Sequence, residues 1–305
     1  MKYNCPKLEC QAAAKSNPNF TPAVRHGGYF RRSDSRWIIR YFCSNCRSTF
    51  SRATFDSRYL QKKRRINPLL LKLLCSEVSQ RRAALILRVD RKTVVRRFRF
   101  LAEVARGRHG VWMHGNYLGR PIEQIQFDDL ETSEHTKLKP VSVAIAVDPV
   151  NRKILDFQVN PMPAKGKLAR VSRFKYGPRP DGRARGWHRM MRNLKPYVSP
   201  TATWTSDENP HYPKCLLRHH PDATHVRIKG GRGAVTGQGE LKKLKFDPIF
   251  ALNHTCAMLR ANLNRLMRRT WCTTKSLKGL IDHLSIYVVY HNQVLTPVAT
   301  IKGAS

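Results

Sequence analysis

The chain has 305 residues, of which 57 are Lys or Arg and only 20 are Asp or Glu, so its formal net charge is +37. This charge excludes most enzymes of neutral metabolites and predicts a polyanionic partner, most simply nucleic acid. Hydrophobic residues make up 41% of the chain, which excludes a disordered basic tail. No apolar run approaches the roughly 20 residues that span a bilayer, and Met1 is not followed by the apolar core of a signal peptide. We expect a soluble intracellular protein without a membrane partner.

Four of the eight cysteines stand in two closely spaced pairs near the amino terminus, Cys5 with Cys10 and Cys43 with Cys46. Each pair can hold one side of a metal ion from a tight turn. Four thiolates suit a tetrahedral, structural Zn²⁺ that has no open position for a substrate. A strand-like segment, residues 36–42, leads into the second pair, which predicts a zinc ribbon over residues 1–60. His26 is an alternative ligand, and the other interpretation is four unligated cysteines in a reducing compartment.

Residues 61–106 have the pattern of three short basic helices. Asn67 before Pro68, Ser79 and Asp90 are each suited to begin a helix. This order predicts a helix-turn-helix domain whose third helix enters the major groove of DNA. The alternative is a solvated basic helix that packs and binds nothing. The polar face of the third helix carries the candidate DNA-binding residues Arg91, Lys92, Thr93, Arg96 and Arg97.

Acidic residues are scarce, so the places where they occur are informative. Two predicted strands, residues 125–131 and 202–208, carry Asp128 and Asp207 near their ends. If these strands are neighbours, the two carboxylates can bridge Mg²⁺ or Mn²⁺. A pair of such ions can activate a nucleophile and stabilise a leaving oxygen in phosphodiester chemistry.

Two further points concern the same region. The predicted strands 141–148 and 153–159 are expected to be antiparallel neighbours, because a short turn joins them.

Asp129 follows Asp128 directly, and strand alternation sends the two side chains to opposite faces. One of the two is therefore the primary ligand, and the pattern alone does not decide which.

The order of cysteine pairs, basic helices and strand-borne acids resembles that of bacterial insertion-sequence transposases of the DDE type, and most closely the insertion-sequence-one-like group. The likeness is carried by residues 127–132, residues 204–207 and residues 259–271. It implies an α+β multidomain protein whose RNase H-like catalytic domain, residues 121–292, has a mixed sheet and a basic insertion at 160–200.

The resemblance also implies a function. Such a protein binds the double-stranded ends of its mobile element and uses two Mg²⁺ ions, held by Asp128 and Asp207, to cleave DNA strands and join them to a target. It works as a homodimer or a larger assembly, since both ends are held together, and it is a cytoplasmic protein associated with the nucleoid. A DNA-binding regulator and a metal-dependent nuclease without strand transfer are the alternatives.

The third metal ligand departs from the family pattern, in which a glutamate lies near the start of the last core helix. Asn253 stands at that position, and no Asp or Glu occurs between residues 248 and 281. Arg260, which follows two turns later, is expected to face DNA.

Three interpretations of this departure stay open. Asn253 ligates through its amide oxygen, with His254 beside it, which gives an Asp-Asp-Asn site. Alternatively, Glu240 or Asp247 enters from the preceding loop. In the third case the chain has lost its chemistry and only binds DNA.

Overall fold

The computed structural model describes residues 4–11, 23–32, 35–229, 247–266 and 273–296. The chain divides into two compact units, Met1–Pro68 and Leu69–Ser305. Glu240, one of the alternative metal ligands, lies outside the described residues, as does the end of the block 259–271. Among the helices of the described ranges, none is long and apolar enough to cross a membrane.

The first unit is built on a three-stranded antiparallel sheet with the strand order β1-β2-β3. Its strands are β1 (Ala23–Arg31), β2 (Arg36–Cys43) and β3 (Thr49–Ser51). Strand β2 confirms the strand predicted before the second cysteine pair. A small core forms where Phe50 packs with buried cysteines at one end of the sheet. An apolar core this small suits a unit that depends on a metal for its stability.

Three helices open the second part of the chain: α1 (Ile66–Leu74), α2 (Gln80–Ile86) and α3 (Arg91–Tyr117). Two predicted caps are confirmed. Ser79 Oγ accepts a hydrogen bond from Arg82 N at 3.3 Å, and Asp90 Oδ1 accepts one from Lys92 N at 2.6 Å. The prediction that Asn67 caps the first helix is wrong, since α1 begins one residue earlier and the Asn67 amide donates to a neighbouring side chain instead.

Helix α3 is much longer than the helix predicted to end near residue 106. It runs on through three glycines to Tyr117, although each glycine disfavours a helix by about 1 kcal/mol relative to alanine. Packing offsets this penalty. Met113 is buried in the core beside the main sheet, and Arg106 pairs with the buried Asp282 at 2.8 Å. One helix thus joins the basic helical segment to the sheet.

The main sheet has five strands in the order β6-β5-β4-β7-β8. They are β4 (Ile122–Ser133), β5 (Pro140–Val147), β6 (Ile154–Pro161), β7 (Val198–Asp207) and β8 (Thr224–Ile228). Strand β5 is antiparallel to β4 and β6, whereas β7 is parallel to both β4 and β8. The four predicted strands are confirmed, and so is the antiparallel pairing of the second with the third. Strand β8 was not predicted.

Five more α-helices occur in the described ranges: α4 (Leu168–Tyr176), α5 (Arg183–Leu194), α6 (Tyr212–His219), α7 (Phe250–Asn262) and α8 (Leu277–Tyr290). Leu130 packs on one face of the main sheet with residues of α7 and α8, and Phe127 packs on the other with residues of α5 and α6. Strand β5 is buried on both faces, as its unbroken apolar run requires. Helix α7 ends at Asn262, because Leu263 adopts an extended conformation.

His283 of α8 provides a test of this packing. It is 3% exposed, its Nε2–H donates to Leu74 O at 2.8 Å, and burial lowers its pKa to about 4. The pKa of histidine in the unfolded chain is near 6.5, so the folded state favours the neutral imidazole. The contribution of His283 to the free energy of unfolding is therefore complete above about pH 6.5 and falls by up to about 3 kcal/mol as the pH drops to about 4. The deficit of a His283→Gln variant in unfolding free energy should therefore be largest at neutral pH and shrink in acid. Denaturant titrations at several pH values measure it, and a deficit independent of pH would contradict the buried neutral imidazole.

Candidate functional site

Two aspartates lie on neighbouring parallel strands, Asp207 at the carboxyl end of β7 and Asp128 in the middle of β4 rather than near its end as predicted. Gln126 of β4 pairs with Thr205 of β7. Continuing that register by two residues brings Asp128 alongside Asp207, and neighbouring strands are about 4.8 Å apart. The charge of Asp207 raises the pKa of Asp128, as expected for close carboxylates. The sequence analysis predicted a metal site only if the two strands are neighbours, and β4 and β7 are neighbours in the sheet.

Both aspartates belong to the same face of the sheet. Asp128 shares its face of β4 with Leu130, which packs in the core beneath α7 and α8. Asp207 is on the face of β7 opposite that of Trp204, which packs on the α5 and α6 side. The two carboxylates therefore face the side of the sheet that α7 covers.

Asp129 occupies the other face of β4 and its carboxylate is fully engaged. Ser142 Oγ donates to Asp129 Oδ1 at 2.7 Å, and Trp187 Nε1 lies 3.1 and 3.0 Å from the two carboxylate oxygens. Ser142 comes from β5 and Trp187 from α5, so Asp129 ties a helix to the sheet. Asp128 is accordingly the carboxylate that stands beside Asp207.

The environment of Asp128 disfavours an isolated negative charge. Burial, together with the charges of Asp207 and Asp129, raises the pKa of Asp128 to about 7. Two donors oppose this rise: Asp129 N, at 2.6 Å from Asp128 Oδ1, and Tyr212 Oη, at 3.3 Å from the same oxygen. A divalent cation between the two aspartates would remove the repulsion and favour the ionised form.

The aspartates open into a cleft of about 320 Å³. Its acidic residues are accompanied by three cations and two neutral polar side chains. Glu131 forms an ion pair with Lys165 at 2.6 Å, and Asn209 N donates to Asp207 Oδ1 at 3.0 Å. Carboxylates can hold a hard cation here, while the basic groups can hold phosphate oxygens. The cleft is lined by Asp128, Asp129, Glu131, Lys165, Arg183, Asp207, Asn209, Tyr212 and Arg260.

Gln126 fixes the start of α7 to the acid-bearing strand. Its Nε2 donates to Pro248 O at 2.9 Å, and its Oε1 accepts from Leu252 N at 3.0 Å. One turn further along α7, burial raises the pKa of Cys256 to about 12, and the charge of Asp128 contributes to the rise. Cys256 feels the charge of Asp128 and Arg260 lines the cleft, so both residues belong to the part of α7 that faces the aspartates.

Asn253 has a different position. Its side chain is exposed, its Nδ2 donates to Asp247 Oδ2 at 2.9 Å, and it is not among the cleft-lining residues of the described chain. Asp247 accepts this bond and another from Ile249 N at 3.1 Å, which closes the turn before α7. The structure thus brings Asp128, Asp207 and Arg260 together and leaves Asn253 and Asp247 outside the cleft.

The first unit contains the other candidate site, a cluster of four cysteines. The Sγ atoms of Cys5, Cys10, Cys43 and Cys46 all lie within 4.8 Å of one another. Two contacts are shorter: Cys5 Sγ to Cys46 Sγ is 3.5 Å, and Cys10 Sγ to Cys43 Sγ is 3.8 Å. Sulfurs bound tetrahedrally at a Zn–S length of about 2.3 Å would be about 3.8 Å apart. These four residues could therefore hold a structural metal ion, and His26 is not part of the group.

Local structure positions the thiols. Cys43 ends β2, and its N–H donates to Ser48 O at 2.9 Å, which forms the tight turn that also carries Cys46. Asn45 Nδ2 donates to Cys10 Sγ at 3.4 Å. Hydrogen bonding to Ser48 lowers the pKa of Cys46 to about 6, which favours the thiolate that binds metal.

The candidate DNA-binding residues of α3 lie around its first two turns. Arg91, Lys92 and Arg96 are exposed, whereas Thr93 and Arg97 are half-buried. Two apolar residues of the same turns, Val94 and Phe98, are buried. The amino-terminal end of α3 therefore offers a basic surface to solvent.

No family model matches the chain, and no curated protein matches it.

The sequence did not reveal the residues that support the aspartates, which are Tyr212, Trp187 and Gln126. A buried glutamine two residues before Asp128 is the one signal that could have indicated a fixed helix start. Tyr212 and Trp187 come from distant segments, so only the fold reveals them.

Proposed function

We propose that this protein is a DNA transposase of the DDE type, which cleaves and joins DNA strands with divalent cations held at Asp128 and Asp207. One observation carries the proposal: the two aspartates stand side by side on one face of neighbouring parallel strands. The basic residues around the same cleft suit a polyanionic substrate.

An RNase H-like catalytic domain is part of the proposal. It is supported by the mixed five-stranded sheet, in which the strand of Asp128 is central and the strand of Asp207 lies beside it. Helices cover both faces, so the aspartates emerge at the end of a rigid layer. Rigid strands hold the geometry of a metal site more closely than loops do.

The residues of the cleft fit Mg²⁺ or Mn²⁺, because carboxylate oxygens are the ligands that hard divalent ions prefer and because the paired negative charges favour a cation. Bound there, such ions would supply activation of water or a DNA 3′-hydroxyl and stabilisation of the leaving oxygen. Tyr212 orients Asp128 by its hydrogen bond, and Asp129 holds α5 in place through Trp187.

The basic residues of the cleft have a separate task. Lys165, Arg183 and Arg260 would hold the phosphates that flank the reacting bond. Arg183 is held at the edge of the cleft by an ion pair with Asp181, with Nη2 2.6 Å from Oδ2, and the charges of Asp129 and Glu131 add to its surroundings. Binding on both sides of the bond would orient the DNA strand for in-line attack.

Recognition of the element ends is assigned to the amino-terminal half of the chain. The four-cysteine cluster would hold one structural Zn²⁺, because its sulfur separations fit a tetrahedral ion. The helices α1 to α3 would act as a helix-turn-helix, with Arg91, Lys92 and Arg96 exposed for double-stranded DNA. Because both ends must be held together, we propose that a homodimer or a larger assembly carries out the reaction.

A DNA-binding protein without chemistry is the second candidate. The observation that favours it is the nature of α7, which contains no acid and presents Arg260 to the cleft. Such a protein would keep the fold and the basic surfaces and lack the third carboxylate.

Asn253 either ligates a cation in the cleft or takes no part in the metal site, and its substitution distinguishes the two cases. Because its amide is bonded to Asp247 outside the cleft, we expect Asn253→Ala to lower transposition by less than about tenfold, the effect of one hydrogen bond. Transposition frequency measures it. A loss as large as that of an Asp128 variant would instead mean that Asn253 turns into the cleft and ligates a cation.

A plasmid transposition assay tests the proposed function. The gene is placed between its native flanking sequences, and wild type is compared with Asp128→Asn and with the exposed Asp222→Asn as a matched control. We expect wild type and the control to mobilise a marker, and Asp128→Asn to do so roughly a thousandfold less. A wild-type protein that binds the flanking DNA and never mobilises it would favour the second candidate.

A further inference from the structure

The hairpin of β1 and β2 carries a pair of large aromatic side chains in solvent. Phe30 and Trp37 are direct cross-strand partners, 55% and 65% exposed. They share a face of the sheet with Tyr41 and Cys43, but lie beyond the end of the small core that those two residues join. Nothing in the described part of this unit covers them.

Trp37 packs against the neighbouring strand. A Cβ atom added to Gly28 would lie 2.6 Å from Trp37 Nε1 and 2.9 Å from Ile38 O, so the indole occupies the space above this glycine. Gly27 has a φ of +69°, and the register of the two strands shifts between Arg25 and Gly28. The absence of a side chain at Gly28 thus lets the indole approach the backbone of β1, while most of Trp37 stays exposed. A ring fixed this way loses little entropy when a flat partner stacks on it.

The charge around these rings favours one kind of partner. Neither strand of the hairpin contains Asp or Glu, and the first unit as a whole carries 15 Lys or Arg against three Asp or Glu. A second copy of this unit would be repelled by the same charge. A nucleic acid would satisfy both features, with phosphates at the guanidinium groups and bases on the rings. The arginines of the hairpin are Arg25, Arg31, Arg36 and Arg40, and Arg32 follows β1.

We propose that Trp37, with Phe30 beside it, is a stacking platform for an unpaired base of DNA. Inside a duplex both faces of a base are covered by its neighbours, so an exposed ring can stack only on a frayed, nicked or single-stranded base. This inference rests on the proposed function, because strand cleavage at an element end creates such bases. It assigns to the cysteine unit a substrate class, single-stranded DNA at the cut end, that is distinct from the duplex assigned to α3.

The test is a binding measurement on the full chain that needs no catalysis. Fluorescence anisotropy compares a short oligothymidine strand with an abasic strand of the same length, which keeps the phosphates and lacks the bases. Trp37→Ala should weaken binding to oligothymidine by about tenfold or more and leave binding to the abasic strand unchanged. Trp37→Phe should keep most of the affinity, since its smaller ring can still stack.

Two controls separate stacking from charge and from folding. Arg36→Gln should weaken binding to both strands and reduce the salt slope by about 0.7, the value for one phosphate contact on a single strand. Leu60→Ala, an 82% exposed apolar residue of the same unit outside the hairpin, should change neither. Metal content, measured on every variant, shows that the cysteine cluster still forms.

The result that overturns the proposal is equal binding of oligothymidine by wild type and Trp37→Ala, or an equal loss on the abasic strand. A change of oligomeric state in Trp37→Ala, with unchanged DNA affinity, would also overturn it and would assign the rings to a contact between copies. The outcome does not depend on transposition. A protein that does not transpose but still binds oligothymidine through Trp37 would refute the proposed function alone. A protein that transposes but does not need Trp37 for this binding would refute the stacking proposal alone.

Discussion

Replacing Asp207 with asparagine is expected to lower strand joining by roughly a thousandfold and to leave DNA binding nearly unchanged. The substitution keeps the size of the side chain and can still accept the hydrogen bond from Asn209 N. It removes one of the two adjacent negative charges that would hold the cations. A loss of several kcal/mol of transition-state stabilisation corresponds to about this factor.

Two assays separate chemistry from binding in this variant. A band shift with DNA carrying the element ends measures binding, and conversion of the same DNA to joined product measures chemistry. Asp222→Asn, an exposed acid of the turn before β8, serves as the matched control and should retain both. If Asp207→Asn lost binding together with joining, Asp207 would have a structural role and the metal site would be wrong.

Replacing Cys43 with serine is expected to release the metal ion and unfold the first unit. Its apolar core is small, so the binding energy of a structural zinc ion, about 10–16 kcal/mol in small zinc domains, would be most of its stability. Cys43 is fully buried and ends β2, so the hydroxyl that replaces its sulfur cannot reach a solvent-exposed conformation. We expect one metal ion per chain in wild type and none in the variant.

Cys75→Ser provides the comparison, because Cys75 is equally buried but lies in the core of the other unit. It should lower the stability of that unit and keep the metal. Elemental analysis measures the metal, and limited proteolysis followed by sequencing shows which unit has opened. Unchanged metal content in Cys43→Ser would refute the assignment of the cysteine cluster.

Much of this arrangement could be predicted because local patterns determine it. The spacing of the cysteines identified all four members of the cluster, and short strand-like runs, one of them largely apolar and another alternating, identified the four strands that carry or flank the acids. The two aspartates followed from their places on predicted strands, although only Asp207 lies at a strand end. Their adjacency required only that β4 and β7 be neighbours, which the sheet order fulfils.

The remainder depends on tertiary contacts that no local pattern shows. Helix α3 passes three glycines because Met113 and Arg106 are held by distant residues. The face of α7 that meets the aspartates is set by the two hydrogen bonds of Gln126, which fix the helix start. Sequence position assigned Asn253 to the cleft, whereas the packing turns it toward Asp247 and brings Arg260 to the cleft instead.

The central claim is that Asp128 and Asp207 together hold divalent cations. Titration of the full chain with Mn²⁺, followed by electron paramagnetic resonance of the free ion, tests it most directly. The account predicts that wild type and Asp222→Asn bind Mn²⁺ and that the double variant Asp128→Asn, Asp207→Asn does not, while all three keep the metal of the cysteine cluster. Equal Mn²⁺ binding by wild type and the double variant, or no binding by wild type, would contradict the account.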